Sequence, residues 1–103
     1  MEIVLIVKTT QNDDSAASEK KEVKVCQSVE AAKKTIVSEL CNDFWLPKDC
    51  DTYAKIVNQL SAGDIACGVS GDGTIDKIWW SDNGKGEVYE IVVIEDDDEY
   101  YII

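Results

Sequence analysis

The chain has 103 residues, enough for one hydrophobic core and too few for two. It carries 21 acids against 10 lysines, with no arginine and no histidine, for a net charge of −11. Such a surface repels phosphates and anionic lipid, which excludes direct nucleic-acid binding and membrane-surface binding. An apolar fraction of 45% is that of a folded domain.

The acidity is uneven. Residues 1–48 hold seven lysines and eight acids, or −1; residues 49–103 hold three lysines and thirteen acids, or −10. No apolar run approaches the roughly 18 residues of a membrane helix. Residues 3–7 are too few for a signal-peptide core, and Glu2 stands where a basic region belongs. The expected location is the cytosol of the host cell. Cys26, Cys41, Cys50 and Cys67 form no close pair. A zinc site usually needs such pairs, so reduced thiols serving as small apolar residues are expected.

Residues 2–10 read as a strand, and their unbroken apolar run places it inside a sheet. Residues 11–19 are a polar loop. Residues 20–25 alternate, with Val23 and Val25 on one face and Glu22 and Lys24 on the other. That is a half-buried strand, paired with the first as a hairpin.

Ser28 is a good N-cap for a helix over residues 29–43, and Glu30 suits its positive end. Val29, Ala32, Ile36, Leu40 and Phe44 form one apolar stripe. Leu46-Pro47 ends the helix. Asp49 or Asp51 is placed to cap a second helix, whose buried face is Tyr53, Ile56, Val57 and Leu60. Gly63 closes it as the residue free to turn left-handed.

Strands follow over residues 65–69 and 75–81, joined by a tight turn at Gly71-Asp72-Gly73-Thr74. A second turn, Asp82-Asn83-Gly84-Lys85-Gly86, carries the Asn-Gly signature. Residues 86–95 are the strongest strand signal, rich in β-branched and aromatic residues. Five adjacent carboxylates, Glu95 to Glu99, cannot be desolvated together and belong in a solvated turn or edge. Tyr100-Tyr101-Ile102-Ile103 asks for burial again, as a short final strand.

The expected fold class is α+β. It is a two-layer sandwich of order β-β-α-α-β-β-β with an optional last strand. An antiparallel sheet of five or six strands carries two helices on one face, and residues 1–103 form a single domain.

Catalytic signals are absent from the sequence. Asp72-Gly73-Thr74-Ile75-Asp76 resembles the middle of an EF-hand loop. The first ligand position would then fall on Gly68 and the glutamate position on Trp79, neither of which coordinates calcium. Gly68, Gly71 and Gly73 lack the Lys-Ser/Thr of a phosphate loop. Asp64, Asp72, Asp76, Glu87 and Glu90 supply carboxylates, but their spacing sets no pair around a cleft. No enzyme, metal or cofactor is expected. Trp79-Trp80 is more informative: adjacent strand residues point to opposite faces, so with helices on one face one indole is exposed.

The opening strand with Lys21-Glu22-Val23-Lys24-Val25-Cys26-Gln27-Ser28-Val29-Glu30-Ala31-Ala32, and Glu87-Val88-Tyr89-Glu90-Ile91, resembles in layout small proteins of prophages and mobile elements. Among small acidic phage proteins are anti-CRISPR and anti-restriction inhibitors, several of which imitate DNA with carboxylates. The resemblance implies a non-enzymatic inhibitor on the basic, nucleic-acid-binding surface of a protein partner, a CRISPR effector or other nuclease. The residues expected to meet that partner are Asp72, Asp76, Asp82, Glu87, Glu90, Glu95, Asp96, Asp97, Asp98 and Glu99, with Trp79 or Trp80 as a desolvated anchor. An immunity protein against a basic toxin, or a generic acidic interaction module, would use the same surface chemistry.

Overall fold

A computed structural model describes residues 3–12, 19–71 and 76–94. The turn at Asp72, the acidic run from Glu95 to Glu99 and the final Tyr-Tyr-Ile-Ile lie outside the described residues. The elements are β1 (Ile3–Asn12), β2 (Lys20–Cys26), α1 (Val29–Phe44), α2 (Tyr53–Ala62), β3 (Ala66–Gly71), β4 (Asp76–Asp82) and β5 (Lys85–Ile94). The five strands form one antiparallel sheet in the order β2-β1-β5-β4-β3. This is the expected α+β layout, and β1 is paired on both sides. Among the described residues, no helix is long and apolar enough to cross a membrane.

Both helices pack on the same face of the sheet. Val4, Ile6, Ile78, Tyr89 and Ile91 point up from the strands and meet Ala32, Ile36 and Leu40 of α1 and Ile56 and Leu60 of α2. Each fully buried aliphatic side chain contributes about 1.5–3 kcal/mol relative to exposure.

The helix ends follow local chemistry. Ser28 caps α1, its Oγ accepting from the Ala31 N–H at 3.1 Å. The cap of α2 is Thr52, not Asp49 or Asp51; its Oγ1 accepts from the Lys55 N–H at 3.3 Å. Asp51 pairs with the Lys55 ammonium instead, at 2.8 Å. Gly63 is not left-handed either, with φ −91°. The left-handed turn into β3 is made by Asp64 at φ 65°, whose short polar side chain tolerates it. Asn83 and Gly84, at φ 51° and 79°, make the β4–β5 turn that Asn-Gly foretells.

One expectation is reversed. The β1–β2 register pairs Leu5 with Val25 and Val7 with Val23. It therefore turns both valines away from the helices, and they are 41% and 70% exposed at 23 and 25. The half of β2 that faces the helix side is the charged one, and Lys24 meets Glu39 of α1 at 3.1 Å. β2 lies at the sheet edge, beyond the reach of the aliphatic core, so its inward positions suit long side chains that carry charge out to water.

Truncating the two faces should therefore have unequal effects. Ile36→Ala is expected to lower the unfolding free energy by about 2–5 kcal/mol, from lost burial and a cavity. Val25→Ala should change it by less than about 0.5 kcal/mol, as exposed sites do. Urea denaturation of both variants checks this.

Candidate binding surfaces

The register of β5 decides where the expected partner residues stand. Lys85 pairs with Asn12 at one end of the sheet, and Ile94 pairs with Ile3 at the other. Asp82 and Glu87 belong to the first end. Asp76, opposite Ile91, lies toward the second, from which residue 95 continues. Glu87 and Ile94 are seven residues apart along β5, about 23 Å. Glu90 lies between them, on the face away from the helices. Among the described residues, Asp82 and Glu87 thus stand at one end of the sheet and Asp76 toward the other.

Glu87 is held inside the fold. It accepts from the Trp80 indole N–H at 3.0 Å and pairs with the Lys8 ammonium at 2.9 Å. Trp80 lies on the helix side, edge-on to Phe44 with ring centres 4.9 Å apart. Trp79 points the other way, and its indole lies over Gly68 of β3. A Cβ at residue 68 would stand 2.8 Å from Trp79 Nε1.

No signal in the sequence marks the cluster around Lys8. Its ammonium is 5.2 Å from the centre of the Tyr89 ring and 3.9 Å from a Glu39 oxygen. Burial works against the Lys8 charge, but the hydrogen bond to Glu87 and the neighbouring Tyr89 phenol outweigh it, so its pKa is raised. Burial, then the Glu87 charge, pushes the Tyr89 phenol up. Burial, then Glu87, also raises the Asp43 carboxyl. Only the fold, by setting β1 beside β5 and both beneath α1, brings residues 8, 39, 43, 87 and 89 together. Among the described residues no group of three His, Cys, Asp or Glu side chains is placed to hold a metal, and all four cysteines are free thiols.

Phe44 packs on Trp80, while Trp45 turns outward as the left-handed C-cap of α1, at φ 52° and 92% exposed. A bulky side chain in that conformation is strained. Beside it runs a groove of about 590 Å³ in which Val37, Leu46 and Pro47 stand with Asn42, Lys48 and Asp51. Trp45 stands at the same end of the molecule as Asp82. Asp64 is at that end too, because Ala66 at the start of β3 pairs with Ser81 at the end of β4. Asp64 and Asp82 are exposed.

No family model, curated protein or solved structure matches the chain.

The raised pKa values of Lys8 and Tyr89 fix a sign. Both groups hold their protons more tightly folded than unfolded, so their contribution is complete below the ordinary values of 10.5 and 10.0 and is lost as pH rises above them. Glu87→Gln should cost about 2 kcal/mol near neutral pH, the size of a hydrogen bond to a charged partner. The gap from the native chain should shrink above pH 10, because the unfolded chain then releases the Lys8 proton and folding must take it up again. Urea midpoints across the alkaline range measure this.

Proposed function

We propose that the chain is a non-enzymatic binding protein that occupies the basic, nucleic-acid-binding surface of a protein partner, a CRISPR effector or other nuclease, with carboxylates in place of phosphates. The observation that carries this reading is the almost fully exposed Trp45, at the end of the molecule that also carries exposed Asp43, Asp64 and Asp82. An exposed tryptophan gains by being covered, and tryptophan is a preferred anchor of protein interfaces. The acids around it draw a basic partner from a distance and set its orientation. The anchor in this reading is Trp45, since Trp80 is engaged with Phe44 and Glu87. The acids from Glu95 to Glu99 follow β5 in the sequence.

The test is competition with DNA for purified effectors and nucleases, read at low and at physiological salt. Binding that displaces DNA and weakens as salt rises supports the reading. Trp45→Ala should raise the dissociation rate. The double variant Asp64→Asn and Asp82→Asn should slow association, most at low salt. No binding to any such enzyme at low salt removes the proposal.

A further inference from the structure

Cys41 and Cys50 meet where the end of α1 is folded back on the loop leading to α2. The Trp45 and Leu46 N–H groups both donate to the Cys41 carbonyl, and the Cys50 N–H donates to the Pro47 carbonyl at 3.0 Å. These turns bring the chain back on itself within nine residues, and the Cys41 thiol donates to the Cys50 carbonyl oxygen at 3.1 Å. Bonds of about 1.2 and 1.5 Å separate that oxygen from the Cys50 Cα, so the Cys41 sulfur lies within about 6 Å of it. Both residues line the groove beside Trp45, a space far larger than a peroxide molecule. Cys41 is half-buried and Cys50 is buried. The other two thiols are placed apart from each other. Cys26 ends β2 and Cys67 lies in β3, the two edges of the sheet, about 19 Å apart across four strand spacings. Cys67 Sγ faces α2, 3.3 Å from Ser61 Oγ and 3.5 Å from the Val57 carbonyl.

We propose that Cys41 and Cys50 are the site of a reversible disulfide, formed with hydrogen peroxide as the oxidant. Cys41 is the more accessible of the two and reacts first. Its thiolate attacks one peroxide oxygen, the O–O bond breaks, and the sulfur is oxidised to the sulfenic acid as hydroxide leaves. The Cys50 thiolate then attacks the Cys41 sulfur. The S–S bond forms, the S–O bond breaks, and a second hydroxide leaves. Each hydroxide takes up one of the two thiol protons, so two thiols and one peroxide become one disulfide and two waters. For this step Cys50 turns its sulfur from the Lys55 carbonyl, 4.0 Å away, toward Cys41. The bridge encloses residues 42–49, Trp45 among them, and ties the last turn of α1 to the loop ahead of α2. It stands whether or not a nuclease is the partner. Burial, then the neighbouring Cys50 and Asp51, raises the Cys41 pKa. Thiolate is therefore scarce at neutral pH, and the reaction quickens as pH rises.

Peptide mapping of the full chain tests the proposal. Trypsin cuts after Lys34, Lys48 and Lys55, so Cys41 and Cys50 fall in separate peptides, 35–48 and 49–55. The folded chain is treated with hydrogen peroxide at pH 7 and at pH 8, remaining thiols are blocked with iodoacetamide, and the digest is read by mass spectrometry without reduction. The expected product is the two peptides joined with loss of two hydrogens, separated again by dithiothreitol, and formed about tenfold faster at the higher pH. The double variant Cys26→Ser and Cys67→Ser should form it at the native rate, with the circular dichroism unchanged. Oxidation that stops at a sulfinic or sulfonic acid on Cys41, with no joined peptides, overturns the proposal. So does a bridge from Cys41 or Cys50 to Cys26 or Cys67. Equal rates at the two pH values also overturn it, because the first step needs the thiolate.

Discussion

Two helices lie across a five-stranded sheet, and their width is the constraint on everything else. Each helix with its side chains is about 10 Å across, so two side by side span roughly 20 Å. Five strands about 4.8 Å apart span nearly the same distance. One face therefore takes both helices, and the described chain has no third layer for the other. The aliphatic core of Ile36, Leu40, Ile56, Ile78 and Ile91 is built on the covered face.

The same geometry accounts for the charged seam. At the helix side of β1 and β5 the core gives way toward the ends of the strands, and Lys8 and Glu87 meet there beneath α1. Each is partly desolvated and each satisfies the other, with Trp80 and Tyr89 completing the set. A half-buried pair of this kind is costly to break and adds little over an apolar replacement, so its value lies in fixing how β1, β5 and α1 align. It also withdraws Glu87 from any surface role and leaves Asp64 and Asp82 as carboxylates displayed at the end of the molecule that carries Trp45.

Periodicity made the helices, the hairpins and the α+β layering legible in the sequence. Ser28 and Asn83-Gly84 were legible too, because a cap and a turn depend only on neighbouring residues. Thr52 was hidden because Asp49 and Asp51 are equally good caps and only the path of the loop selects among them. Asp64 was hidden because glycine is the usual left-handed residue and Gly63 stands next to it. The orientation of β2 was hidden for a deeper reason. Alternation of Val23 and Val25 with Glu22 and Lys24 states a period of two but not which set faces the helices. At an edge strand the usual inference from apolar to inward fails. The binding surface was only partly legible, since the chain separates Asp43 and Trp45 from Asp82 by more than thirty residues that the fold brings to one end.

The outward orientation of Val23 and Val25 depends on the pairing of β1 with β2. A slip of one residue would turn Val23 and Val25 into the core and Lys24 out to solvent. Cross-strand nuclear Overhauser contacts in the full chain measure that register directly. The account requires contacts that place Val25 opposite Leu5 and Val23 opposite Val7, with Lys24 opposite Ile6. Contacts placing Lys24 opposite Leu5 or Val7 would contradict it.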